Sequence, residues 1–397
     1  MRVLPARTLV RASIQGDNMN KRFALGAIAA LACCAIGAGA AIGNSTSNSG
    51  LRDPIATPAP DTAFGAYSSL TAVTAAGSRL VAVGRRGVIL ASADAGQSWQ
   101  QLPSPVSSDL TAVQFVDAQH GWIVGHDAVV LKTTDGGKTW ERKLDGHAAL
   151  ALLNASYGPQ GKTPDDAIAQ DIERAGSQSA TPGVLPYPLL SVWFSSANEG
   201  YVAGAFGLIL QTRDGGASWT PMIERTANIK MNHIYAIGGD GGQVYLAGEQ
   251  GFLRRLDDTT GAFVPMASPY EGSFFGLAAS QSRLVVHGLR GNAYASDDGG
   301  ARWRKIDTGS GANIVAALPV SAAAGAGLLL VTQTGDVLES SADGSARPYS
   351  GADSAGADNR RGQPRGEVYG AAIAGGALVA TGMAGASVLR SVPLSTP

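Results

Sequence analysis

An all-β fold, a seven-bladed β-propeller, is predicted by three observations on this 397-residue chain. The first is the pattern Ser/Thr-x-Asp-x-Gly-x-x-Trp, intact four times, at 92–99, 133–140, 212–219 and 296–303. The second is its spacing. Trp99 to Trp140 is 41 residues, Trp140 to Trp219 is 79 (one period plus an insertion), and Trp219 to Trp303 is 84, which leaves room for one hidden copy. The third is an independent ruler: an apolar strand ending in a Gly-x-x-Gly-type bend, at 84–87, 125–128, 204–207, 248–251, 288–291, 332–335 and 382–385. Seven bends at a period of roughly 40 residues, with about four short strands to each, are the signature of propeller blades.

The four-fold pattern reads as a hairpin turn with a task for each residue. Asp94, Asp135, Asp214 and Asp298 accept hydrogen bonds from backbone N–H groups of the turn. The Gly takes a positive φ that a side chain resists. The Ser or Thr hydroxyl ties down the start, and Trp99, Trp140, Trp219 and Trp303 plug the apolar layer beside it. Such a turn holds no nucleophile, base or ligand set. A decayed copy is expected at Asp258 to Phe263, with Thr260 in place of the turn Gly, and a remnant at 341–348 keeps Ser341 and Asp343.

Charge and composition fit this fold. Lys and Arg number 30 against 31 Asp and Glu, only 15% of residues are charged, 45% are apolar, and 53 are Gly. That is a Gly-rich β protein with a large core, not a disordered or nucleic-acid-binding chain. Residues 1–43 read as a signal peptide or N-terminal anchor, with a second start at Met19: basic Lys21 and Arg22, an apolar run from Phe23, then small residues. The run is close to the ~20 residues that span a bilayer, so an uncleaved anchor is the rival, and Ala30-Leu31-Ala32-Cys33 resembles a lipobox with Leu one place out of register. Export to the periplasm, free or tethered, is expected. The two cysteines, Cys33 and Cys34, both fall here, so the mature domain has no thiol for a disulfide or a metal, and no cofactor is expected.

Residues 44–63 are Ser-, Asn- and Pro-rich and read as a linker to a propeller over 64–392. The last blade shows three evident strands, so a segment near Ile55 to Phe64 is expected to supply the missing outer strand, although Pro58 and Pro60 oppose one there. Between blades two and three, residues 145–186 are a helical insertion: Ala148 to Asn154 has helical composition, and Thr163, Pro164 and Asp166 fit N-cap, N1 and N3 of a second helix with Ile168 and Ile172 as its apolar stripe.

Connections within a blade alternate between faces. The Gly bends and the blade-to-blade connectors, including the insertion, share one face, and the Asp turns lie on the other. Arg85, Arg86, His126, Phe206, Gln250 and Arg290 occupy the bends, so this face is the expected partner-binding surface; that exposed bends simply need polar residues is the plainer account.

The run from Gly200 to Trp219, with Tyr245-Leu-Ala-Gly-Glu-Gln-Gly251 and Tyr270-Glu-Gly-Ser-Phe-Phe-Gly276, resembles the photosystem II stability/assembly factor family of Asp-box, or BNR-repeat, propellers. The resemblance implies a non-catalytic exported scaffold, monomeric, that helps a membrane protein complex assemble, in some members through a basic patch. The signal segment, low charge and insertion look more like bacterial relatives associated with resistance-nodulation-division exporters. Two other classes stand beside it. A sialidase-like glycosidase needs an arginine triad, a Tyr/Glu pair and an acid/base Asp; Tyr235, Tyr245 and Glu249 with Arg85, Arg254, Arg290 and Arg304 are the available residues, but no motif gathers them. A carbohydrate-binding propeller would stack sugars on Trp122, Trp193, Tyr201 or Phe206.

Overall fold

The computed structural model describes residues 53–240, 242–280, 283–322, 325–341, 343–349, 364 and 366–392. The expected signal segment, the lipobox-like Cys33 and linker residues 44–52 lie outside the described residues. Within them the chain forms six four-stranded sheets and one three-stranded sheet, each with its strands paired antiparallel in simple order. The innermost strands are Leu70–Ala76, Leu110–Phe115, Leu189–Phe194, Ile234–Gly239, Phe274–Ser280, Ile314–Ala322 and Val368–Ala374. Second strands such as Gly121–Gly125 and Gly200–Gly204 are buried throughout, because neighbouring blades cover both of their faces. Among the described residues, no helix is long and apolar enough to cross a membrane.

The Asp turns have the expected chemistry and one residue more. In blade two, Thr133 Oγ1 donates to Asp135 Oδ1 at 2.7 Å and accepts the Gly137 N–H at 2.9 Å. Asp135 Oδ1 then accepts the Thr139 N–H at 3.0 Å, and Oδ2 the Thr139 hydroxyl at 2.6 Å. Ser98, Ser218 and Arg302 close the other three turns in the same way. The residue before each Trp therefore belongs to the motif, although its variable type hid it. The Ser98 hydroxyl holds the Asp94 carboxyl at a pKa of about 2, as the Ser218 hydroxyl holds Asp214 and the Arg302 amide holds Asp298. At Asp135 burial pushes upward, yet hydrogen bonds from Thr139 and Thr133 outweigh it and the pKa again falls to about 2.

These turns also join blades. The Arg79 guanidinium of blade one donates to Gly136 O in the blade-two turn, and Trp122 Nε1 of blade two donates to Gly215 O in the blade-three turn at 3.3 Å. Trp140 and Trp219 are buried, edge-on to Phe115 and Phe194 respectively, and their indole N–H groups have no partner. Their contribution is apolar.

Three expectations need correction. The decayed turn of blade four uses Asp257, not Asp258: Asp257 accepts the Thr259 N–H at 3.0 Å and the Thr260 hydroxyl at 2.9 Å, and Gly261 (φ 64°) supplies the positive φ. The second helix of the insertion is capped by Asp165, not Thr163. The insertion comprises α1 (Gly146–Tyr157), capped by Asp145, and α2 (Asp166–Gln178), whose Ile168 and Ile172 are buried as expected. Finally, 55–64 forms no strand. Pro54 O and Ala59 N–H instead bond Ser107 and Ser104 of the connector leaving blade one, and Ile55 is buried where blades one and two meet. Blade seven stays three-stranded among the described residues, and the ring closes by packing of Ala372, Ala374 and Val379 on Leu70, Leu80 and Leu90.

Candidate functional site: the bend face

Each bend is latched to the start of its own blade. The amides of Arg85, His126, Ala205, Glu249, Leu289, Gln333 and Met383 donate to the carbonyls of Ser69, Asp109, Pro188, His233, Ser273, Asn313 and Glu367 at 2.8–3.1 Å. This approach explains the first Gly of the bend: a Cβ on Gly84 would overlap Ser69 O and crowd Leu70 Cα. The third position is left-handed even without Gly, with φ of 56° at Arg86, 54° at Phe206, 51° at Gln250 and 56° at Arg290. At three of these four positions the next blade holds the amide in place. Asp109 accepts the Arg86 N–H at 2.8 Å, His233 Nδ1 the Phe206 N–H at 2.9 Å, and Asn313 the Arg290 N–H at 3.0 Å.

All six residues singled out on this face are exposed. They are not gathered into one patch. Arg85 and Arg86 are neighbours on blade one, and Arg85 approaches Asp109 at 3.7 Å, which offsets part of its charge. Arg290 belongs to blade five, three blades away by the shorter way round. His126 sits beside Asp127, which holds the Ser108 hydroxyl at 2.7 Å. Gln250 is the exposed tip of the blade-four bend. Phe206 is 41% exposed and starts an aromatic series: Tyr187 at 4.6 Å between ring centroids, His233 at 4.8 Å, then His233 to Tyr235 at 6.1 Å and Tyr235 to Phe275 at 5.7 Å. Tyr187 also donates to Asp171 of α2 at 2.7 Å, so the insertion is anchored on this face. α1 is pinned by Tyr157, whose hydroxyl donates to Glu224 and accepts the Ile223 N–H at 3.0 Å. Burial and the neighbouring Glu224 raise the Tyr157 pKa.

Sequence reasoning missed His233 and Phe275 as members of this group. A signal existed. Every inner strand carries a register shift near its start, and the residues that it sets out of register are Thr71, Thr111, Leu190, Tyr235, Phe275, Val315 and Tyr369. Bulges re-aim side chains. Thr71 and Thr111 use theirs to reach the next blade, bonding Leu110 O at 2.6 Å and Leu189 O at 2.5 Å. Aligning the seven inner strands places Tyr235 and Phe275 at this shared position.

A family model described as photosynthesis system II assembly factor YCF48 matches residues 91–156. The chain is similar to photosystem II assembly factors. It is 29% identical over 218 residues to the photosystem II stability/assembly factor HCF136 of Cyanidioschyzon merolae, covering 51% of this chain and 49% of that one. It is 29% identical over 155 residues to the photosystem II assembly lipoprotein Ycf48 of a Picosynechococcus, covering 36% and 44%. The chain thus spans about half the length of the curated relatives it matches. Two solved structures share the fold: YCF48 bound to D1 peptide (TM-score 0.55, 16% identity, 83% of this chain and 95% of that one) and YCF48 from Cyanidioschyzon merolae (TM-score 0.56, 15% identity, 85% and 98%).

The residues considered for a glycosidase do not assemble into one. Tyr235 does donate to Glu249 at 3.2 Å, but burial and then the Glu249 charge push its pKa up to about 12, the wrong direction for a nucleophile. Arg254 is spent on the carbonyls of Thr226 and Ala227, and Arg304 faces Asp297 at 3.7 Å. Tyr245 is buried. For sugar stacking, Trp122 is fully buried against Phe194 at 3.7 Å, Tyr201 is buried and Trp193 is half-buried against it, so of that set Phe206 is the exposed ring.

Proposed function

We propose that this protein is a non-catalytic propeller that is exported, kept at a membrane, and assists assembly or stability of a membrane protein complex by docking a partner on its bend face. The observation that carries the reading is the similarity, across about half the chain, to proteins named photosystem II stability/assembly factors. The exposed, latched bends of Arg85, Arg86, His126, Phe206, Gln250 and Arg290 supply a preorganised surface, which lowers the entropic cost of binding. Export and tethering draw on the signal-like residues 1–43 and on a relative named as a lipoprotein. The resistance-nodulation-division exporter suggested by the sequence finds no support among the relatives, so the proposed client is a membrane protein complex without that restriction. Crosslinking pull-down from membranes, comparing the native chain with Arg86→Glu/Arg290→Glu, tests the face. Loss of a captured membrane protein supports it, and undiminished capture of every partner removes it.

A further inference from the structure

Glu249 occupies the second position of the blade-four bend, and two donors aim its carboxylate. The His233 N–H reaches Oε2 at 2.8 Å and the Tyr235 hydroxyl reaches Oε1 at 3.2 Å. An ionised carboxylate offers about four lone-pair sites, so both oxygens keep accepting capacity. Its side chain is 30% exposed, and among the described residues the one basic group near it is His233, with Nδ1 at 3.8 Å. That approach is not an ion pair. Nδ1 accepts the Phe206 N–H at 2.9 Å, so it carries a lone pair there and no proton. Glu249 is therefore an oriented, accessible anion with no charged partner within 4 Å among the described residues.

Two aromatic rings, His233 and Tyr235, stand beside this anion, and two more pack on them. Phe206 and Tyr235 each meet the His233 ring edge to face (interplanar angles 84° and 86°), and Phe275 meets Tyr235 at 73°. Phe206 is one of few large apolar side chains left open among the described residues. Aromatic faces carry negative potential, and a cation within about 6 Å of a ring centroid is attracted to it. The His233 and Tyr235 rings against a fixed carboxylate, backed in turn by Phe206 and Phe275, make a site of one electrostatic sign.

We propose that Phe206, His233, Tyr235, Phe275 and Glu249 form a box that receives a Lys ammonium or Arg guanidinium from an extended segment of the docked protein. The carboxylate supplies charge and one or two hydrogen bonds, and the rings supply cation–π contact to the head and apolar contact to the stem. This rests on the reading that the bend face meets a protein. It adds that the box itself selects positive charge, opposite in sign to what Arg85, Arg86 and Arg290 select elsewhere on the face.

The test uses the full chain and two pentapeptides that differ only at the centre, lysine or norleucine, titrated by saturation-transfer NMR with tetramethylammonium as a third probe. The lysine peptide is expected to saturate with a Kd on the order of 1 mM, the norleucine peptide to show no saturation, and tetramethylammonium to bind more weakly than the lysine peptide. Glu249→Gln is expected to weaken the lysine peptide about tenfold. Phe206→Ala, which removes an exposed ring and leaves the Glu249 hydrogen bonds intact, is expected to weaken it about threefold to fivefold and reads the box even if Glu249→Gln fails to fold. Equal binding of the two peptides, full affinity in Phe206→Ala, or no saturation with the lysine peptide overturns the box. Tighter binding of tetramethylammonium than of the peptide overturns its assignment to a protein side chain. Because these titrations need no native partner, they are decided separately from the pull-down with Arg86→Glu/Arg290→Glu.

Discussion

Thr133→Val separates the hydrogen-bonded knot of the Asp turn from its aromatic plug. The two side chains are nearly the same shape, and Thr133 is 2% exposed, so packing is preserved. What disappears is the hydroxyl that donates to Asp135 at 2.7 Å and accepts the buried Gly137 N–H at 2.9 Å. An orphaned buried donor costs about 1–3 kcal/mol and a hydrogen bond to a charged acceptor contributes about 1.5–3 kcal/mol; since Asp135 keeps its Thr139 bonds and some exposure, about 3 kcal/mol is expected in total. Trp140→Phe looks harsher, yet the Trp140 indole N–H has no partner to lose. Its cost is the vacated volume, about 1–2 kcal/mol, partly offset by removing an unsatisfied polar group. Thermal unfolding of the purified chain should show a midpoint lowered by about 5 °C for Thr133→Val and about 2 °C for Trp140→Phe. Thr133→Ser, which copies Ser92 and Ser296 of the sister turns, should recover most of the loss. A larger drop for Trp140→Phe than for Thr133→Val would refute the reasoning and make the plug the main contributor.

Acid should loosen the same turns. The pKa values of Asp94, Asp135, Asp214 and Asp298 are lowered from 3.8 to about 2, so their stabilisation is complete above pH 4 and is lost as pH falls toward 2, which an acid titration followed by near-UV circular dichroism would detect. His287 adds a separate window. It is fully buried with Nδ1 on Ile314 O at 3.0 Å, and burial lowers its pKa from 6.5 to about 4, so stability should decline between those values; urea midpoints at pH 7 and pH 4.5 should converge in His287→Gln. Tyr157→Phe removes the donor to Glu224 and the acceptor for the Ile223 N–H, at a cost of about 2 kcal/mol. Limited proteolysis should then cut between α1 and α2 faster, while the ring melts within a few degrees of the native chain.

The blade count was readable because both rulers, the Asp turn and the Gly bend, answer local demands: a carboxylate for stray N–H groups, and no Cβ where two backbones meet. Where two residues could serve one local demand, geometry chose. Asp257 prevailed over Asp258 because the strand Leu253–Asp257 ends on it and Gly261 offers the turn its positive φ, a role that Thr260 does not fill. At α2, Asp165 prevailed over Thr163, since a carboxylate that accepts the Ala167 and Ile168 N–H groups also meets the positive end of the helix dipole. The closing strand failed on the physics already visible in Pro58 and Pro60, which have no N–H to donate, while Ile55 found apolar cover between blades one and two. Least legible was the group around Glu249. Tyr187 and Phe275 are 88 residues apart, and only the shared place of Tyr235 and Phe275 in the repeat connects them before folding.

The seam between blades seven and one has a mechanical consequence. Among the described residues no strand is exchanged across it, so Leu70, Leu80 and Leu90 hold to Ala372, Ala374 and Val379 by contact alone. A stretched chain would part there without tearing any hydrogen-bonded ladder, as a bracelet opens at an unhooked clasp. Chain ends moved to another connector should meet the same clasp, whichever two blades come to flank it.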